Sequence, residues 1–229
     1  DPIDGCVFID QNKPIYGKLL ERINDLSEVP SPYLTGILDS FFNTNLIPII
    51  ETNRGCPYSC IFCAQGLVSS HIVKKHPFNQ VIEEIEYISD NIKNTNVLVF
   101  ADANFGLFER DTQIAEKISK MKKRKDYPHN INANWVKTKK SIDVVEKLGE
   151  STFLIASLQS MDPIVLKEIK RKNIPIDDFK EIMDYINEKG GISGTEIILG
   201  LPNETKESHI NSIKNYLKWM LDILFVITC

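Results

Sequence analysis

The sequence lacks an apolar run long enough to cross a bilayer, and it shows no secretory signal pattern. It also lacks a strong charge excess, because 27 basic side chains stand against 31 acidic ones and the net charge is −4. That balance excludes a general attraction to nucleic acids or to anionic membranes. Cysteine is scarce, with five in 229 residues, so a disulfide-rich scaffold is excluded. We expect a cytoplasmic protein that does not bind membranes or nucleic acids.

Three of the few cysteines stand close together, as Cys56-x₃-Cys60-x₂-Cys63. Gly55 and Pro57 flank the first of them, which predicts a loop rather than a helix or a strand. Three thiolates on one loop can converge on a single metal centre, and soft thiolate donors suit zinc or iron–sulfur clusters. The loop is therefore a candidate metal site with Cys56, Cys60 and Cys63 as ligands.

The number of ligands separates these two kinds of metal site. A structural zinc site is closed by four protein ligands, and His71 or His76 would have to supply the fourth. A disulfide would leave one cysteine over, and an electron-transfer cluster normally takes four cysteines, whereas Cys6 and Cys229 lie far from the motif. A cluster held by three cysteines leaves one iron open to a small molecule. A non-catalytic zinc or iron–sulfur module is the alternative to an enzyme.

The spacing of the cysteines, with Phe62 directly before the last one, resembles the radical S-adenosylmethionine (SAM) superfamily. The resemblance implies that the three thiolates hold a [4Fe–4S] cluster whose open iron is chelated by SAM. It further implies that one electron cleaves the sulfonium of SAM, giving methionine and a 5′-deoxyadenosyl radical. The implied partners are an electron donor such as flavodoxin or ferredoxin and a small-molecule or peptide substrate of unknown identity. Phe62 is a candidate cofactor contact.

Strands and helices alternate along the chain after residue 45. Short apolar runs are separated by segments with helical spacing of apolar residues, which predicts an α/β fold with parallel βαβ units. A doubly wound sheet and a (β/α) barrel both fit this pattern. The resemblance implies a partial (β/α)₆ TIM-like barrel over 46–229, with 1–45 as an N-terminal extension. The predicted strands are 46–51, 96–101, 130–136, 152–158, 195–199 and 223–228.

Polar residues directly follow the second predicted strand, where the active sites of (β/α) barrels lie. Asp102 could accept a charge-assisted hydrogen bond from the amino group of SAM, with Asn104 close to it. An Asp/Asn turn bonded to its own backbone explains this pair equally well. After the third strand, Lys137 could pair with the SAM carboxylate or be a solvated loop lysine. Asp102 and Asn104 are thus candidate cofactor contacts.

Later strand ends add further candidates. Ser157 and Gln159 lie at the end of the fourth strand and carry a hydroxyl and an amide that can satisfy ribose hydroxyls. Arg171 could hold a carboxylate bidentately or be an exposed arginine at a helix end. The G-L-P-N-E-T turn is similar to the strand-five turn of the superfamily, which implies that Ile198 and Gly200 face the adenine of SAM.

Two stretches favour one branch of the superfamily. F-A-D-A-N-F-G after strand two, and Q-S-M-D followed by V-L-K, resemble cobalamin-dependent and methylthiotransferase-like members. The resemblance implies a cobalamin-dependent methyltransferase or a related radical transformation, with cobalamin bound in the full-length protein. We expect 1–45 to be the tail of an upstream cobalamin-binding domain, and the barrel to be truncated at its C-terminal end.

Overall fold

The computed structural model describes residues 2–66, 71–136, 138–219 and 222–228. Within these residues, the strands form a six-stranded parallel sheet and two small antiparallel pairs. The strands are β1 Val7–Asp10, β2 Lys13–Tyr16, β3 Ile49–Ile50, β4 Asn53–Arg54, β5 Lys74–Lys75, β6 Val97–Phe105, β7 Asn130–Trp135, β8 Thr152–Ile155, β9 Ile192–Leu199 and β10 Ile223–Thr228.

The six strands of the parallel sheet lie side by side in chain order, from β3 through β6, β7, β8 and β9 to β10. Each neighbouring pair is parallel. A doubly wound sheet would reverse its strand order at a switch point, and this sheet does not. The structure therefore confirms the α/β class and agrees with the partial barrel rather than with the doubly wound alternative.

Helices fill most of the connections between these strands. They pack on one another in sequence, α1 with α2, α2 with α3 and α3 with α5. Each amphipathic helix turns an apolar stripe toward the sheet, and these stripes form most of the main core. The helices are α1 Phe78–Asn91, α2 Glu109–Lys125, α3 Lys140–Leu148, α4 Pro163–Glu168, α5 Ile176–Glu188 and α6 Lys206–Leu217.

Strand β7 shows how the sheet separates the core from the opposite face. Ile131 and Trp135 are buried in the main core, whereas the alternate residues Asn132 and Asn134 are exposed. Successive side chains of a strand point to opposite faces, so the asparagines lie on the side away from the core. The sheet thus has an apolar face under the helices and a polar face at the inside of the barrel.

The first strand of the sheet is shorter than predicted. The sequence favours a strand over 46–51, but the ladder with β6 pairs only Ile49 with Val99 and Ile50 with Phe100. On the outer edge, the hydroxyl of Tyr33 donates to the carbonyl of Ile49 and accepts from its amide, at 2.8 and 2.9 Å. A side chain from the N-terminal segment therefore occupies this edge of the sheet.

The fourth strand also ends early, at Ile155 rather than at residue 158. Gln159 has a positive φ of 65°, which an extended strand does not contain. Its backbone then rejoins the sheet, because the Gln159 amide donates to Glu196 and its carbonyl accepts from Ile198. The chain after β8 is therefore a bulged continuation of the strand, fixed to β9 on both sides of Gln159.

The N-terminal segment begins with a β1–β2 hairpin. Gln11 and Asn12 form its turn with φ of 44° and 65°, the positive values of a type I′ turn. Further along, Arg22 donates to the carbonyls of Ile72 and Arg54, which ties this segment to the barrel. Among the described residues, no helix combines the length and apolar character needed to cross a membrane.

Candidate active site

A cavity of about 420 Å³ lies at the carboxyl ends of the parallel strands. This is the end at which (β/α) barrels place their active sites. All three cysteines of the predicted metal site line it, together with side chains from β6, β7, β8, β9 and β10. Its lining includes Cys56, Tyr58, Cys60, Phe62, Cys63, Asn104, Asn132, Asn134, Phe153, Ile155, Ser157, Gln159, Arg171, Glu196 and Phe225.

Two polar side chains donate to the sulfurs of the cysteine loop. The amide nitrogen of Asn104 lies 3.2 Å from the Cys56 sulfur, and one guanidinium nitrogen of Arg171 lies 3.7 Å from the Cys60 sulfur. Cys56 and Cys60 are buried, whereas Cys63 is exposed. Hydrogen-bond donors, one of them cationic, suit sulfurs that carry negative charge, as metal-bound thiolates do.

The histidines lie apart from the cysteines. His71 contacts the carbonyl of Gly66 at 3.2 Å, and His76 contacts the Glu51 carboxylate at 3.2 Å. Neither lines the cavity, so neither completes a zinc site with the cysteines. Over the described ranges, no three His, Cys, Asp or Glu side chains gather around a single ion.

The donor set fits a cluster better than it fits one ion. In a four-iron cluster each thiolate binds a different iron, so the three sulfurs do not need to surround one point. The structure places three sulfur donors in the lining of one cavity, and the one carboxylate among the described lining residues, Glu196, accepts from Ser157. That arrangement fits a [4Fe–4S] cluster with one iron open toward the cavity.

The structure does not bring Asp102 to the cavity. Its side chain is 0% exposed, and its carboxylate accepts from the amide of Thr52, the side-chain amide of Asn53 and the hydroxyl of Thr52. The first two of these bonds measure 2.6 Å. Asp102 therefore fastens β6 to the chain just before Cys56, and its carboxylate is already occupied by protein donors rather than by an ammonium group.

Burial gives Asp102 a pH-dependent effect on stability. Desolvation raises the pKa of Asp102 from 3.8 to about 6, against the lowering effect of its donors. Because the folded-state pKa is the higher one, the contribution of this group is greatest below pH 4 and is lost as the pH rises through 6. The shift corresponds to about 3 kcal/mol.

We expect Asp102→Asn to remove this part of the pH dependence. Urea unfolding between pH 4 and 7 should show the wild type losing about 3 kcal/mol relative to Asp102→Asn, because the amide cannot ionise. Asp184→Asn, an exposed position on α5, controls for the loss of one charge. Parallel curves for the wild type and Asp102→Asn would contradict the raised pKa.

The predicted ribose contacts come together on the cavity wall. Ser157 donates its hydroxyl to the carboxylate of Glu196, which comes from the middle of β9. Gln159 is buried beside them, and its side-chain carbonyl oxygen has no partner among the described residues. A buried acceptor without a partner is costly unless a ligand or water supplies a donor. This part of the wall can therefore bind a hydroxyl-bearing ligand.

Two predicted contacts lie elsewhere. Ile198 packs in a small apolar cluster against which Phe62 rests, so it supports the cavity wall from behind. Gly200 has φ of +88°, and its amide donates to the Glu204 carboxylate at 2.7 Å. Neither Ile198 nor Gly200 lines the described cavity. The side chains of Phe62, Asn104, Ser157 and Gln159 do line it, and Lys137 lies outside the described residues.

The sequence did not identify Glu196 as a site residue, and it left two roles open for Arg171. Glu196 is the charged residue of an otherwise neutral strand, and that contrast is a signal that could have identified it. Arg171 is partly buried and donates to the carbonyl of Ser157 and to the side chain of Asn173. Its guanidinium carbon lies 6.0 Å from the centre of the Phe62 ring. A fixed cation therefore stands between the cysteine loop and the hydroxyl-binding wall.

Comparisons with known proteins agree with this geometry. A family model described as the radical SAM superfamily matches residues 50–215. The cobalamin-dependent radical SAM methyltransferase TokK of Streptomyces tokunonensis is 31% identical over 215 residues, which cover 89% of this chain and 31% of that protein. A 2-(S-pantetheinyl)-carbapenam-3-carboxylate methyltransferase of Streptantibioticus cattleyicolor is 31% identical over 213 residues, covering 88% and 31%. The chain spans about a third of the length of these relatives.

Solved structures share the fold. The radical SAM methyltransferase TsrM of Kitasatospora setae, with cobalamin and a [4Fe–4S] cluster bound, has a TM-score of 0.67 at 16% identity. That match covers 82% of this chain and 35% of the other. The cobalamin-dependent SAM radical enzyme OxsB, with aqua-cobalamin and SAM bound, has a TM-score of 0.63 at 15% identity, covering 96% and 32%.

Proposed function

The chain belongs to the radical SAM superfamily, and from that premise we propose that it holds a [4Fe–4S] cluster on Cys56, Cys60 and Cys63 and cleaves SAM reductively. The observation that carries the proposal is that all three cysteines line a single cavity together with polar side chains that can bind a ligand. When bound, the cluster supplies the single electron that breaks a carbon–sulfur bond of SAM. The chain's own task is to position SAM and to keep water away.

Arg171 is suited to hold the carboxylate of SAM. Its guanidinium stands beside Cys60 and is fixed by Ser157 and Asn173, so it loses little freedom when it binds a ligand. A guanidinium binds a carboxylate with parallel hydrogen bonds. Its position next to a cysteine ligand would place the amino-acid end of SAM against the open side of the cysteine loop.

Ser157, Gln159 and Glu196 are suited to hold the ribose of SAM. Glu196 can accept from a hydroxyl, and the free carbonyl oxygen of Gln159 can accept from a second one. The apolar part of the wall, formed by Phe62, Phe153, Ile155 and Phe225, excludes water from the reacting carbon. Asn104 keeps Cys56 in place through its hydrogen bond to the sulfur.

The relatives from Streptomyces tokunonensis and Streptantibioticus cattleyicolor suggest the chemistry that comes after SAM cleavage. Both are methyltransferases that are about three times as long as this chain, and one is described as cobalamin-dependent. We therefore propose that the longer protein acts with cobalamin in a methyl transfer or a related radical transformation, in the cytoplasm. In this proposal residues 1–45 extend the barrel toward a cobalamin-binding domain, and flavodoxin or ferredoxin supplies the electron. No observation favours the non-catalytic module.

Anaerobic reconstitution with iron and sulfide tests this function. The chain should bind about four irons, as a [4Fe–4S] cluster requires. With a chemical reductant it should convert SAM to 5′-deoxyadenosine and methionine, which chromatography measures. Titration with hydroxocobalamin should show no binding to this chain and stoichiometric binding to the full-length protein. A loaded cluster without any SAM cleavage would favour the non-catalytic module instead.

A further inference from the structure

A second cavity, of about 230 Å³, lies beside the cysteine loop. It shares Tyr58, Cys60, Asn104 and Arg171 with the first cavity, so the two cavities meet at the same cysteine ligand. Its other lining residues do not reach the first cavity and include Lys170 and Lys172. Cys60 therefore lines two cavities, and the residues proposed to bind SAM line the first of them.

The entrance of the second cavity is basic. Lys170, Arg171 and Lys172 are consecutive, and Arg171 turns inward to Ser157 and Cys60. Lys170 and Lys172 are exposed, and neither forms an ion pair with any residue that the structure describes. The chain as a whole carries a net charge of −4, so this entrance is a local reversal of its charge. Two unpaired cations at one site attract an acidic partner.

The basic segment and the cysteine loop form one continuous surface. The amide of Ile61 donates to the carbonyl of Ile169 at 3.2 Å, which joins the loop to the chain just before Lys170. Ile61 is 51% exposed and Tyr58 is 44% exposed. Exposed apolar and aromatic side chains next to cations are typical of surfaces that bind another protein.

We propose that Tyr58, Ile61, Lys170 and Lys172, here called the basic surface, dock an acidic one-electron donor protein of the flavodoxin or ferredoxin type. The inference rests on the proposed function, because it assumes a cluster on Cys60. The donor would lose one electron, which a cluster held by Cys60 would supply to SAM. The carbon–sulfur bond of SAM would then break, methionine would leave, and the adenosyl carbon would take a hydrogen atom from the substrate or, in its absence, from the reductant or buffer. Cys60 lines the cavity under this surface, so a docked donor would stand close to the cluster.

A structural role at the end of α4 could also explain Lys170 and Lys172, and the experiment must distinguish that role from docking. They follow α4, and cations near the end of a helix complement its dipole. In that case their removal would lower stability and leave the binding of a donor protein unchanged. A nucleic acid is the other partner that a basic surface could attract, and single-stranded RNA serves as the competing ligand in the experiment.

The experiment uses the reconstituted protein and a flavodoxin of strongly acidic net charge. Lys170→Gln/Lys172→Gln should weaken flavodoxin binding by roughly five- to twentyfold at low salt, because charged pairs at an interface steer and hold the partner. Calorimetry measures the affinity, and circular dichroism checks folding. SAM cleavage driven by dithionite should remain unchanged, whereas cleavage driven by flavodoxin should need more flavodoxin. Binding to the wild type should weaken as salt is added.

Two variants control the result. Lys117→Gln/Lys123→Gln removes two exposed lysines of α2 and should change neither affinity nor cleavage. Lys170→Arg/Lys172→Arg keeps both charges and should bind flavodoxin as the wild type does. Unchanged flavodoxin affinity in Lys170→Gln/Lys172→Gln, or a loss of RNA binding alone, overturns the docking proposal. A wild type that binds flavodoxin but cleaves no SAM with dithionite upholds the docking and overturns the proposed function.

Discussion

Replacing Cys56, Cys60 or Cys63 by alanine is expected to abolish the cluster and SAM cleavage together. Each cysteine is the proposed protein ligand of one iron, and the carboxylate of Glu196, which lines the same cavity, already accepts from Ser157. The iron content after anaerobic reconstitution should fall from about four per chain to less than one. Production of 5′-deoxyadenosine should fall to the level of the protein-free reaction, measured by chromatography.

Cys6→Ala is the matched control for this loss. Cys6 is exposed in the N-terminal segment, outside the cavity, so its removal should leave iron content and SAM cleavage unchanged. A cysteine-loop variant that keeps its iron and its activity would contradict the ligand assignment. Stoichiometric zinc in the wild type, bound in preference to iron, would contradict the cluster itself.

Arg171→Met should weaken SAM binding by about 10- to 100-fold without loss of iron. Hydrogen bonds to charged groups contribute about 1.5–3 kcal/mol each, and the methionine side chain can make none of them. Equilibrium binding of SAM to the reconstituted protein measures the effect, and the iron content shows whether the cluster is intact. The size of the effect follows from the position of Arg171 between Cys60 and Ser157.

The Arg171→Lys variant distinguishes the contribution of the positive charge to SAM binding from that of the paired guanidinium donors. Lysine keeps the positive charge but lacks the paired donors of a guanidinium, so SAM affinity should lie between those of Arg171→Met and the wild type. Arg124→Met, at a position 63% exposed on α2, should bind SAM as the wild type does. Equal SAM affinity in the wild type and Arg171→Met would show that Arg171 only supports the cysteine loop.

Most of the barrel could be predicted because its local signals agree with its tertiary structure. The spacing of apolar residues predicts α3, and Gly149, with a positive φ of 61°, stands where the helix ends. The hydrogen bonds at the outer edge of β3 could not be predicted, because Tyr33, which makes them with Ile49, lies 16 residues away in sequence. Sequence patterns report on neighbours along the chain and do not report on such distant contacts.

The local character of sequence patterns also explains which residues of the candidate site could be predicted. The cysteine spacing is local and identifies the loop directly. Asp102 and Asn104 lie two residues apart on one side of β6, and both reach the chain around the loop, one at Thr52 and the other at Cys56. The sequence shows that both are polar residues at a strand end. It does not show that the carboxylate of Asp102 already accepts hydrogen bonds from Thr52 and Asn53.

The consecutive order of the strands has a consequence for how the chain folds as it is synthesised. Each βα unit finds its neighbour in the unit made just before it, so the sheet can grow from β3 toward β10 as the chain emerges. Within the barrel the cysteine loop is made before the other parts of the site, and Asn104 follows Cys56 by 48 residues. Arg171 follows Cys60 by 111 residues. The thiols therefore stay uncovered while the later strands are synthesised, and the site can close around them only when most of the barrel has been made.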